Sequence, residues 1–94
     1  MGNNMKINDI SGTITAGNSA QVLAAAKPGR IGFMIQNTSA GDLWVSDLTT
    51  AVLASPSIKI TSGSTYYSHE TGCSSTALSI IGATTSQAFT AREW

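Results

Sequence analysis

Turn-forming residues recur roughly every ten positions along this chain. Pro28-Gly29, Ser39-Ala40-Gly41, Ser55-Pro56, Ser62-Gly63, Thr71-Gly72 and Gly82-Ala83 punctuate it. The segments between them are too short for helices of ordinary length, and their apolar residues alternate with period two. Ile14 faces opposite to Thr13 and Thr15. Ile31, Phe33 and Ile35 share one face, with Gly32, Met34 and Gln36 on the other. Leu43 and Val45 oppose Trp44; Ile58 and Ile60 oppose Lys59; Leu78 and Ile80 share a face, as do Phe89 and Ala91, leaving Thr90, Arg92 and Trp94 opposite. The adjacent Tyr66 and Tyr67 must point opposite ways.

Regular turns between short alternating, β-branched segments predict a single-domain antiparallel β-sandwich, jelly-roll-like, of about seven or eight short strands over residues 11–94. Residues 1–10 are expected to form a flexible N-terminal arm. The one helix-friendly stretch, "AQVLAAAK" (Ala20 to Lys27), is short and is stopped by Pro28-Gly29, which reads as a type II turn. A strand over Gln21 to Ala25 is the better reading.

Only 11% of the 94 residues are charged, with zero formal net charge, against about 25% charged in an ordinary soluble domain. Serine and threonine, about a quarter of the chain, take up the difference. A neutral hydroxyl surface suits a protein whose surface ends against other protein, as in a homo-oligomer; a soluble monomer with a Ser/Thr-rich β-surface is the simpler alternative. Lys6, Lys27, Arg30, Lys59 and Arg92 are scattered, so no basic patch for nucleic acid is expected. The longest apolar runs are far below the roughly 20 residues needed to span a membrane. "MGNNMKINDI" lacks the apolar core of a signal peptide. The single Cys73 excludes an intrachain disulfide and fits synthesis in a reducing cytoplasm. "NTS" at Asn37 to Ser39 matches a glycosylation sequon but reads as a turn.

Catalytic equipment is sparse: one His, one Cys, two Glu and three Asp. His69, Glu70 and Cys73 fall within five residues, yet structural zinc takes four ligands in paired spacing and no second pair exists. Cys73 with His69 would be a nucleophile–base pair without an orienting partner or oxyanion motif. Asp42 and Asp47 flank a strand and read as turn caps. No enzyme activity, metal or cofactor is expected. The candidate partner-interface residues are the large outward side chains Met34, Trp44, Tyr67 and Trp94. Trp44 lies outside if Leu43 and Val45 fill the core, and inside if those two face outward. Trp94 either docks on its own domain or anchors to a neighbour.

The order Arg30, Ile35-Gln36-Asn37, Leu43-Trp44, Ser57-Ile58, Ile60, Gly63, Tyr66 and Phe89 through Glu93-Trp94 resembles a group of small virion proteins of tailed bacteriophages. The resemblance spans about Gly12 to Trp94. It departs after the tyrosines, where that pattern has an acidic residue directly and this chain has Ser68-His69-Glu70. The resemblance implies a capsid decoration (cement) protein, made in the host bacterial cytoplasm. It would bind the outer surface of the major capsid protein lattice as a dimer or trimer and stabilise it. The alternatives are a neck, tail or fibre component, or a carbohydrate-binding β-domain for host recognition with Trp44 and Tyr67 as stacking platforms.

Overall fold

The computed structural model describes residues 6–68 and 72–94 and contains strands and turns but no helix among them. The strands are β1 (Asn8–Asp9), β2 (Gly12–Thr13), β3 (Gln21–Ala24), β4 (Phe33–Asn37), β5 (Leu43–Ser46), β6 (Ile58–Ile60), β7 (Thr65–Tyr67), β8 (Leu78–Gly82) and β9 (Ala88–Glu93). All pairings are antiparallel. One sheet, here sheet A, runs β1-β9-β4-β7 with β2 also on β9; the other, sheet B, runs β3-β8-β5-β6.

β1 and β2 behave as one edge strand. Asn8 pairs with Glu93, Asp9 with Arg92, Gly12 with Phe89 and Thr13 with Ala88, all in one register. Between them Ile10 N donates to Ala91 O (2.9 Å), and Ala91 N donates to the Ser11 hydroxyl (2.9 Å). Ser11 thus interrupts the ladder with a side-chain bond instead of leaving an amide unpaired. Counted as one, these two leave eight strands in two four-stranded sheets. The chain changes sheet at every connection except β5 to β6. This is the jelly-roll arrangement, as the sequence pattern predicts. The expected arm over residues 1–10 overlaps the paired Asn8–Asp9; Met1 to Met5 lie outside the described residues.

Alternation fills the space between the sheets. Ile14 just past β2, and Phe33, Ile35, Phe89 and Ala91 from sheet A, meet Leu23, Leu43, Val45, Ile60, Leu78 and Ile80 from sheet B, all buried. Each large side chain withdrawn from water contributes roughly 1.5–3 kcal/mol. Tyr66 closes one edge of the core, its ring centroid 5.8 Å from that of Phe33.

The turns follow their residues. Arg30 N donates to Lys27 O at 3.0 Å around Pro28-Gly29, and Gly29 has φ 79°, the positive φ that a type II turn requires at that place. Gly63, φ 81°, does the same between Thr61 and Ser64.

Ile31 departs from the predicted face. It is exposed, while Phe33 and Ile35 are buried. Ile31 N (2.7 Å) and Gly32 N (3.2 Å) both donate to Trp94 O. Two residues opposing one is a β-bulge, and it turns Ile31 out of the alternation.

The β5–β6 connection, residues 47–57, folds back on the outer face of sheet B. Leu48 N and Thr49 N each donate to the buried Ser46 hydroxyl at 3.2 Å, and Ala51 N donates to the Ser79 hydroxyl at 2.9 Å. No helix among the described residues is long and apolar enough to cross a membrane.

Candidate functional site

The four candidate interface residues fall on two opposite faces. β4 registers Met34 against Tyr67 on one side and Arg92 on the other, and Arg92 pairs with Asp9. Tyr67, Met34, Arg92 and Asp9 therefore form one row across the outer face of sheet A, with Thr65, Gln36 and Thr90 in the next row. Tyr67 is 67% exposed. Asp9 is held below the ordinary carboxylate value by the Ser11 hydroxyl and then the Ser11 amide, which donates to it at 2.9 Å, with the Arg92 charge adding a smaller pull. Its carboxylate stays charged beside Arg92.

Trp94 shares this face but is tied to its own domain. Its N donates to Gly32 O at 3.0 Å, and its ring occupies the space above Gly32, where an added Cβ would stand 2.9 Å from a ring carbon. Of the two sequence alternatives, docking on the domain is the one observed, with the ring half-buried.

Trp44 lies on the other side of the sandwich. Leu43 and Val45 are fully buried, so Trp44 points outward from sheet B, half-buried between Ile81 of β8 and Lys59 of β6. The Lys59 ammonium stands 5.8 Å from its ring centroid and 3.5 Å from Asp42 Oδ2. The cation–π contact is worth about 0.5–1 kcal/mol at such an exposed site. Because Trp44 and Tyr67 face opposite ways, no single ligand stacks on both.

Sequence reasoning counted Arg30 only as one of the scattered basic residues and gave it no structural role. It is buried. Its Nε donates to Glu93 Oε1 (3.0 Å), Nη1 to the carbonyls of Ser74 (2.9 Å) and Thr76 (2.7 Å), and Nη2 to that of Ala25 (2.8 Å). The five-donor fork of Arg suits this, and Lys would leave most acceptors unmet. One side chain thus joins the end of β3, the segment before β8, and β9. The available signal was the pairing of an Arg before "IQN" with Glu-Trp at the far end of the chain.

Asn37 is also buried. Its Nδ2 donates to Gly41 O (2.7 Å) and Ile60 O (2.8 Å), and its Oδ1 accepts from Ser39 N (2.9 Å) and the Ser39 hydroxyl (2.7 Å). The sequon nitrogen is fully engaged inside the fold, which agrees with the turn reading. Gln87 extends the same network to Ser39 and Asp42. Among the described residues no buried side-chain nitrogen or oxygen lacks a partner.

Cys73 is half-buried against the core, and its thiol points at the Ser74 carbonyl at 3.6 Å. His69 and Glu70, named with it as a metal or nucleophile–base cluster, lie outside the described residues. Among the described residues no three His, Cys, Asp or Glu side chains converge.

No protein-family model matches the chain, and neither the curated proteins nor the solved structures contain a match.

Proposed function

We propose that this protein is a bacteriophage capsid decoration protein. It binds the outer surface of the assembled major capsid protein lattice and stabilises that lattice by contact. The observation that carries this reading is the outer face of sheet A. Tyr67, Met34 and Arg92 cross it in one register row, flanked by the short hydroxyl and amide side chains of Thr65, Gln36 and Thr90. Aromatic, Met and Arg anchors in an otherwise weakly charged surface are the composition of a protein-binding patch. The ordered resemblance from Arg30 to Trp94 gives the patch its phage setting.

The stabilisation follows from linkage. A ligand that binds the intact lattice and not its separated subunits shifts the equilibrium toward the lattice. Symmetry multiplies each small contact over neighbouring sites.

The test is binding of the purified protein to mature shells of the virus that encodes it. The protein saturates shells at micromolar concentration, and decorated shells come apart at a higher temperature than bare ones. Tyr67→Ala weakens binding about tenfold or more, the loss of one anchor worth roughly 1.4 kcal/mol or above. Shells that take up no protein overturn the reading.

A further inference from the structure

We infer that residues 47–57, the β5–β6 connection, form a hinged strap that lifts off the outer face of sheet B while the sandwich stays folded.

Little apolar surface holds the strap down. Of its eleven residues only Ala51 is buried, and its side chain is a single methyl group. The large apolar side chains stay in water: Leu48 is 75%, Val52 42% and Leu53 40% exposed. One flank has no neighbour, since an open groove of about 510 Å³ separates the strap from β3, with Leu78 and Ser79 of β8 as its floor.

The hydrogen bonds divide into two kinds. Among the described residues, two dock the strap on the rest of the fold, and both depend on a side-chain hydroxyl. Ala51 N donates to Ser79 Oγ at 2.9 Å, and Thr76 Oγ1 donates to Asp47 O at 3.1 Å. The others lie within the strap or at its two ends. Leu48 N and Thr49 N donate to Ser46 Oγ at 3.2 Å, Val52 N to Ser57 Oγ at 2.9 Å, and Ser57 N to Ala54 O at 3.0 Å. Such short-range bonds shape a segment without help from the sheet. They survive lifting, so the strap moves as one body. Its turning points are where it leaves Ser46 of β5 and enters Ile58 of β6.

Lifting strands no polar group. Both docking bonds join neutral groups, and the parted partners meet water, so only the small net value of each bond is lost. Ser79 Oγ also has Gln21 O at 3.5 Å. A segment with one buried residue and hydroxyl-only docking opens at a free energy well below that of the whole fold. Opening uncovers Ser79 and widens the groove. The Tyr67 face, on the other sheet, is untouched, so the strap opens whether or not the protein binds a shell.

Amide hydrogen exchange on the full chain tests this. In the wild type the Ala51 amide exchanges through an opening that low urea does not accelerate. The amides of Val45 and Ile80, in the strands beneath, quicken with urea because they exchange through unfolding that exposes the core. Thr76→Val removes one docking bond and leaves the acceptor of the Ala51 amide in place. It speeds Ala51 exchange about fivefold, the value of one neutral hydrogen bond, because both docking bonds must break together. Thr76 is exposed, so the variant keeps the wild-type circular dichroism. An Ala51 amide that follows the urea dependence of Val45 and Ile80 overturns the inference, and so does one indifferent to Thr76→Val. The wild-type urea series needs no variant and carries the result alone.

Discussion

Arg30 ties three separate parts of the chain together through the hydrogen bonds of one buried side chain. Removing it strands the buried Glu93 carboxylate and takes the partner from three part-buried carbonyls. Breaking one side of a buried ion pair costs about 3–5 kcal/mol, so Arg30→Ala loses about that much in urea unfolding. Arg30→Met with Glu93→Gln recovers a large part, since no charge is then buried alone. Tyr66 makes a second residue-scale case. Burial first, then the nearby Asp47 and Cys73, raise its phenol above the ordinary value of 10.0. The unfolded chain therefore releases this proton before the folded one does. Its contribution is complete below pH 10 and is lost as pH rises from there through the folded value. Wild type consequently loses stability faster than Tyr66→Phe in alkaline titrations followed by thermal unfolding. Equal alkaline slopes for the two proteins contradict the assignment.

At the scale of the element, the turns were the most legible features because their chemistry is local. Pro28-Gly29 and Ser62-Gly63 specify a conformation by themselves. An added methyl at Gly29 meets nothing within 4 Å, yet Gly29→Ala costs about 1–2 kcal/mol, since the left-handed backbone is the penalty. Unfolding midpoints check this. A neutral Gly29→Ala shows that the turn has another conformation in solution. Strand alternation was equally legible wherever the strand runs straight, as at Leu43-Trp44-Val45. Which side of that strand meets the core was left open by the sequence and is decided by the burial of Leu43 and Val45. Alternation failed at Ile31 because a bulge is set by the distant carbonyl of Trp94, which no local window contains. The burial of Arg30 was hidden for the same reason: its partners lie at Ala25, Ser74, Thr76 and Glu93. The separation of Trp44 from Tyr67 needed the sheet order, since alternation within a strand does not say which sheet the strand joins.

At the scale of the whole molecule, the jelly roll leaves two outer faces with different chemistry. Sheet B is partly roofed by residues 47–57 and offers an uncharged groove; sheet A presents the row from Tyr67 to Asp9. On the proposed decoration reading the sheet A row meets the shell, so Tyr67→Ala weakens the contact of every copy with the lattice, and the many lattice sites magnify that loss. Binding isotherms on shells measure it; an unchanged isotherm places the contact elsewhere on the molecule.

The most direct measurement of the central claim is a reconstruction of the virion that contains this protein. The account predicts a β-sandwich on the outer capsid surface at every lattice position of one kind, hundreds of copies in all, with the Tyr67 face against the shell. A single ring of about a dozen copies at the neck, or particles that hold none, would contradict it.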